Sequence, residues 1–289
     1  MSSEFILGEE AFKNGSKSLK SLINQTAKTS TTPQAIYVSI NIKIKLTSKN
    51  DYIPRIIPLK YKLDKVENKS ILLITKDPST PYRHALTEKD SPTEDVFNQI
   101  FTLTKLKSLC KNKKDLTLFK EYDLIVADHR VHKFLPQILN EKFYIKNKKL
   151  PYMIQMAKPT PKSQSTLTAS KKNSTKLKDD RCEPKYVYHQ MKSIVGNTSY
   201  VPKSNGNCLF IKVGYTDWNT TQLLSNVNDV ISYLTDLKHA PVGGVLKSVD
   251  NLGNIHVKTS ESISLPVYII ANVDDKNDDD DGDNSDYDF

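Results

Sequence analysis

Between Ile36 and Leu46 apolar and polar residues alternate without a fault. Ile36, Val38, Ile40, Ile42, Ile44 and Leu46 share one side, and Tyr37, Ser39, Asn41, Lys43 and Lys45 the other. Successive side chains of a strand face opposite sides, so this is a strand with one buried and one wet face. Such strands belong in antiparallel sheets. Residues 9 to 24 ahead of it read as a helix, with Ala11, Phe12, Leu19, Leu22 and Ile23 on the inner side. Pro54 and Pro58 punctuate a further extended piece, PRIIPL.

From about residue 69 the texture changes. Ile71-Leu72-Leu73-Ile74 and Leu124-Ile125-Val126-Ala127 are continuous apolar runs, and helical patterns occupy roughly 94 to 109 and 129 to 140. Strands apolar on both faces and interleaved with helices imply a parallel sheet sandwiched by helices, with a third short strand expected around Leu150 to Met156. After residue 181 the antiparallel texture returns. Asn207 to Tyr215, Ile255 to Thr259 and Pro266 to Ile270 read as strands. Between them Leu223, Leu224, Val227, Val230, Ile231 and Leu234 recur at helical spacing, with Asn219 or Thr220 as the cap. The expected architecture is therefore a combination of α/β and α+β. Residues 1–67 and 182–272 form a split α+β domain with an antiparallel sheet. Residues 68–156 form an inserted Rossmann-like, three-layer α/β domain. A basic flexible loop is expected at 157–181, rich in Lys, Ser and Thr, and a disordered acidic tail at 273–289.

Charge narrows the partners. The net charge is +9, yet the stretch from Asp274 to Phe289 holds nine Asp and one Lys, so the rest of the chain carries +17. A body that basic favours a polyanion, most simply nucleic acid. The three cysteines, Cys110, Cys182 and Cys208, are widely spaced and odd in number, which fits a reducing compartment and no disulfide framework. The N-terminal stretch lacks a signal-peptide layout, and no apolar run approaches the ~20 residues that span a membrane. A soluble, intracellular protein without a membrane partner is expected. Basic clusters such as Lys171 to Lys178 are compatible with nuclear import.

Glycine limits the chemistry. None of the nine glycines lies between Gly15 and Gly196, so the inserted domain has none. Dinucleotide fingerprints and phosphate loops need glycine for positive φ and close approach to phosphate, which excludes both there. Asp128-His129-Arg130-Val131-His132 follows a strand, where α/β enzymes keep their chemistry. Two histidines at i and i+3 supply only two of the three protein ligands that zinc needs, and no Gly-x-Ser-x-Gly elbow is present. A metal-dependent hydrolase using these residues is the enzymatic rival. The favoured reading is Asp128 as a helix N-cap, with His129, Arg130 and His132 on a basic helix surface as candidates for a macromolecular contact. No catalytic residue, metal, cofactor or small-molecule substrate is expected. Lys43 and Lys45, beside Tyr37, Ser39 and Asn41, make a polar and aromatic strand face that fits RNA as well as it fits a plain solvated surface. Lys212, and Lys258, Thr259 and Ser260 at a strand end, stand in the same position.

One long stretch carries a resemblance. KNKKDLTLFKEYDLIVADHRVHKFLPQILNEKFYIKNKKLPYMI is similar to the middle domain of the ribosomal L-one family. KSIVGNTSYVP, CLFIKVG and TTQLLSNVNDVISYL resemble that family's returning half-domain. More narrowly, DYIPRIIPL, ILLITKDPSTPYR and KLPYMI resemble a fungal branch that serves the small-subunit processome. The resemblance implies the two-domain fold already inferred, with RNA bound by the split domain at Ser39 to Lys43 and at Lys258, Thr259 and Ser260. It further implies a non-enzymatic, nucleolar factor, monomeric within a large ribonucleoprotein. Its partners would be pre-ribosomal RNA and small-subunit assembly proteins during maturation of 18S rRNA. The chain departs from the family at one point: Ser260-Glu261-Ser262-Ile263-Ser264-Leu265-Pro266 stands where the family has Met-Gly-Pro. A contact altered there, with the chain serving as a protein-docking module instead, is the alternative.

Overall fold

A computed structural model describes residues 5–47, 52–111, 120–140, 143–144, 149–159, 181–202 and 204–270. In chain order the first elements are α1 (Gly8–Thr29), β1 (Ala35–Ile42) and β2 (Arg55–Ile57). There follow β3 (Ile71–Thr75), α2 (Thr80–Leu86), β4 (Gln99–Thr102), α3 (Leu103–Lys111), β5 (Leu124–Asp128), α4 (His129–His132), α5 (Leu135–Leu139) and β6 (Tyr152–Ile154). The chain returns through α6 (Pro184–Gly196), β7 (Thr198–Tyr200), β8 (Cys208–Tyr215), α7 (Thr220–Thr235), β9 (Leu252–Lys258) and β10 (Leu265–Tyr268).

The alternation in β1 does what its period dictates. Ile36, Val38, Ile40 and Ile42 are buried and meet Leu209, Ile211 and Val213 of β8 and Ile255 and Val257 of β9. The sheet is antiparallel, in the order β10-β9-β1-β8. Helices α1 and α7 close its inner face with Leu19, Leu22, Leu223, Val227, Val230 and Leu234. Asn219 starts α7: its Oδ1 accepts from Thr221 N at 3.3 Å, and Gln222 Oε1 accepts from Asn219 N at 3.2 Å, a reciprocal capping box.

Two details differ from the sequence pattern. The strand predicted to run to Leu46 ends at Ile42, because both neighbours run out there. Asn41 faces Cys208, the first residue of β8, and Ile42 faces Leu252, the first of β9. Ile44 and Leu46 still pack on the core from the bend that follows. Phe12 is exposed on α1, and Gly15 takes the inner position instead. A Cβ on Gly15 would lie 2.9 Å from Leu224 Cδ2, so the missing side chain lets the two helices approach.

The inserted unit has a four-stranded parallel sheet, order β4-β3-β5-β6. Ile71 to Ile74 are fully buried because both faces of β3 are covered. Ile71 and Leu73 face Tyr82, Leu86, Val187 and Met191 on α2 and α6. Leu72 and Ile74 face Leu106, Val131, Leu135 and Leu139 on α3, α4 and α5. The result is the expected three-layer sandwich, with a fourth strand. The helix predicted from residue 94 starts only at Leu103, since Gln99–Thr102 joins the ladder beside β3 as β4. The helical pattern at 129 to 140 divides into α4 and α5, Pro136 lying in the first turn of the second.

Helix α6 sets the return crossing. Residues from 182 onward were expected in the split domain, but Val187, Met191, Ile194 and Val195 pack with the parallel sheet. The chain re-enters the first unit at β7, which pairs with β2. Of the expected basic loop at 157–181 only its two ends are described, and the acidic tail lies outside the described residues. No helix among the described residues is long and apolar enough to cross a membrane.

Candidate nucleic-acid interface

Because the inner face of the antiparallel sheet is filled with aliphatic side chains, the opposite parity of each strand points outward. On β1 these residues are Tyr37, Ser39 and Asn41; on β8 they are Cys208, Phe210 and Lys212; on β9 they are Asn254, His256 and Lys258. Register brings the three sets together. Tyr37 lies between Lys212 and Lys258, Ser39 between Phe210 and His256, and Asn41 faces Cys208. The Tyr37 and Phe210 rings stack, with centroids 4.5 Å apart and planes 13° from parallel. Phe210 remains 49% exposed, a large apolar ring on an otherwise polar surface. Lys212 donates to Tyr215 Oη at 2.8 Å and lies 4.1 Å from that ring's centre, which holds its ammonium at the sheet border. This surface offers a stacked aromatic pair, its Phe210 ring half exposed, with cations beside it, an arrangement suited to a stacked base and its phosphates.

The other expected residues fall into two groups. Lys43 and Lys45 are exposed, but in the bend beyond β1 and not on the strand. Thr259 is buried: its hydroxyl accepts from Ser262 N at 3.1 Å while its own N–H donates to Ser262 Oγ at 2.9 Å. This closed turn occupies the Thr259 side chain internally and leaves Ser260 and Glu261 exposed at the loop tip. Phe210 and His256 were missed by the sequence reading. Their signal was present, since each lies two residues from a lysine already assigned to the same strand face.

The Asp128 cluster turns inward. Asp128 is fully buried and caps α4, its Oδ1 accepting from Arg130 N at 3.0 Å. Arg130 folds back over the cap, with Nε donating at 3.0 and 2.9 Å to the two carboxylate oxygens and Nη2 donating to Oδ2. Its guanidinium carbon lies 5.2 Å from the Tyr82 ring centre. Burial alone would lower the Arg130 pKa, but the Asp128 hydrogen bonds and charge outweigh it and raise the value. His132 is buried too, with Nε2 3.1 Å from Pro151 O. The surface contact expected of Arg130 and His132 is therefore corrected: both serve the interior, and His129 alone stays exposed, its Nδ1 3.1 Å from Asp128 Oδ1. The cluster lies at the carboxyl end of β5 beside β3, where strand order reverses and α/β sheets commonly hold ligands. Here an ion pair occupies that end of the sheet. Among the described residues no three His, Cys, Asp or Glu side chains gather to hold a metal.

Matching with known sequences places this geometry. The profile of the ribosomal protein L1p/L10e family matches residues 19–263, from the middle of α1 to the loop after β9. The chain belongs to the L1p/L10e family. The match takes in the inserted unit and most of the split one, leaving out the start of α1 and β10, and it includes the outer face of β1, β8 and β9. Among relatives, the ribosome biogenesis protein UTP30 of Saccharomyces cerevisiae is 43% identical over 256 residues, 87% of this chain and 88% of that protein. The Schizosaccharomyces pombe protein C8F11.04 is 24% identical over 233 residues, 80% of this chain and 50% of that protein.

Two cysteines of this L1p/L10e chain report on the two regions. Burial pushes the Cys182 thiol up to about 11, with Arg130 lowering it and Asp128 raising it. Thiolate is the reactive form and Cys182 is the more buried of the two, so at pH 8 it should alkylate at least about tenfold slower than exposed Cys208, and speed up with pH until about 11. Iodoacetamide labelling read by peptide mass spectrometry measures this. Equal rates at pH 8 would show an open, unshifted Cys182.

Proposed function

We propose that this protein is a non-enzymatic ribosome biogenesis factor that binds pre-ribosomal RNA of the small subunit on the outer face of its antiparallel sheet. It works in the nucleolus, among small-subunit assembly proteins, during maturation of 18S rRNA. The observation that carries the reading is the Tyr37–Phe210 stack between Lys212 and Lys258, with His256 beside it. Family membership and the UTP30 relative support the setting. The mechanism is positioning. Cations neutralise phosphates, whose counterion release drives association, and the rings hold a base in a fixed place. The Lys258 side chain, on the outer face of β9, makes no hydrogen bond or ion pair with the described residues, so its charge is available to a phosphate.

One observation favours a protein-docking reading. Glu261 is exposed at the tip of the Thr259–Ser262 turn, next to Ser260, where it opposes phosphate. In-cell crosslinking with sequencing of the attached RNA separates the two. Small-subunit precursor RNA, with the crosslinked peptides containing Tyr37 or Phe210, is the expected result. Crosslinks to protein alone, or to mature large-subunit RNA, would remove the proposal.

A further inference from the structure

The two helical layers of the inserted unit differ sharply in charge. The α2/α6 side mixes Lys89, Lys185 and Lys192 with Glu88, Glu94 and Glu183. The other side does not mix. Residues 103–111 and 129–140, which hold α3, α4 and α5, contain no Asp or Glu at all. They expose Lys105, Lys107, Lys111, His129 and Lys133. Two acids border this side: Asp77, whose Oδ2 accepts from Thr104 N at 3.2 Å at the start of α3, and the buried Asp128, whose Oδ1 lies 3.1 Å from His129 Nδ1. Leu106, Val131, Leu135 and Leu139 pack in one cluster, so the three helices cover the same face of the sheet, and the exposed ionisable side chains described on them are all basic.

Aromatic rings lie within this layer. Lys133 Nζ is 5.0 Å from the ring centre of Phe134, which is 36% exposed, and Lys105 Nζ is 4.2 Å from that of Phe101. Phe134, at the junction of α4 and α5, is the one large apolar side chain exposed in residues 103–111 and 129–140. A protein partner would need an apolar centre, and lysine is depleted from such interfaces. Spaced lysines around a single exposed ring match a phosphate backbone with one stacked base. We propose that the outer face of α3, α4 and α5 is a second RNA-binding surface. On it Lys105, Lys107, Lys111 and Lys133 contact phosphates and Phe134 stacks on a base, so that one chain holds two RNA segments. The surface belongs to a different unit from the Tyr37–Phe210 face and does not depend on that face being functional.

The test counts RNA molecules per chain. The full chain is titrated at low salt with a single-stranded RNA of about twelve nucleotides, roughly one site in length, and stoichiometry is read by native mass spectrometry. The wild-type chain should bind two. Lys105→Gln/Lys107→Gln/Lys133→Gln should bind one, with the salt slope of the lost site removed; each phosphate contact accounts for about 0.7 of that slope. Tyr37→Ala/Phe210→Ala should also bind one. All five positions are at least partly exposed, so folding is checked by circular dichroism and not presumed lost. Two RNAs on the lysine variant would overturn the proposal. So would a single RNA on the wild type that only the sheet variant loses, which leaves the sheet reading standing. A lysine variant that keeps both RNAs but loses an acidic protein partner would reassign the layer to protein. No RNA on any form of the chain would remove both surfaces.

Discussion

Replacement of Asp128 by alanine is expected to destabilise the folded chain by about 3–5 kcal/mol, the usual cost of removing one partner from a buried ion pair. The magnitude follows from what the carboxylate does. It is fully buried, it caps α4 through Arg130 N, and it accepts from Arg130 Nε on both oxygens. Without it the Arg130 guanidinium stays buried beside the Tyr82 ring and loses the carboxylate that accepts from its Nε. The loss of the cap alone would cost roughly 1 kcal/mol. Total stabilities of natural domains are about 5–15 kcal/mol, so the variant should unfold at markedly lower urea concentration. Asp128→Leu combined with Arg130→Met removes charge from both sides and should recover most of the loss. An alanine variant within about 1 kcal/mol of the wild type would contradict the buried-pair account.

Replacing Tyr37 and Phe210 together by alanine should weaken RNA binding roughly ten- to a hundredfold, since stacking contributes about 1–3 kcal/mol per base. The salt dependence should hardly change, because no cation is removed. Lys258→Gln should do the reverse. It would cost a few-fold in affinity and flatten the salt slope by about 0.7, the share of one phosphate on a single strand. The two signatures are separable in one fluorescence-anisotropy series across salt. The stacked pair itself contributes about 0.5–1.5 kcal/mol to the fold, so thermal melts must accompany the binding data. Unchanged affinity in the double variant, with a normal melt, would sink the platform.

A large part of this molecule was legible in its sequence. Period two in β1 and β8, period 3.6 in α7 and the continuous apolar run of β3 each encode how many faces of an element are buried, and the split order of the two units follows from them. The cap at Asp128 was readable for the same reason: capping is decided within three residues. The missing glycines were equally local, and they removed phosphate loops from the inserted unit without reference to any contact.

The rest was decided by partners far away in the chain. Period two says that Tyr37 faces out, but not that Phe210 will lie beside it; the register of β1 on β8 makes that stack. The same pattern could not tell where β1 would stop, because a strand ends where its neighbours end. Arg130 reads as a surface cation on a short basic helix. Only the fold shows the buried Asp128 carboxylate drawing it inward, a pairing stronger than the hydration it loses. Thr259 likewise carries a polar residue's expectation of solvent, and the turn to Ser262 removes it. Sequence determined which residues are buried or wet within each element. Tertiary structure determined which wet residues share a surface, because that depends on register and packing between segments that no local period connects.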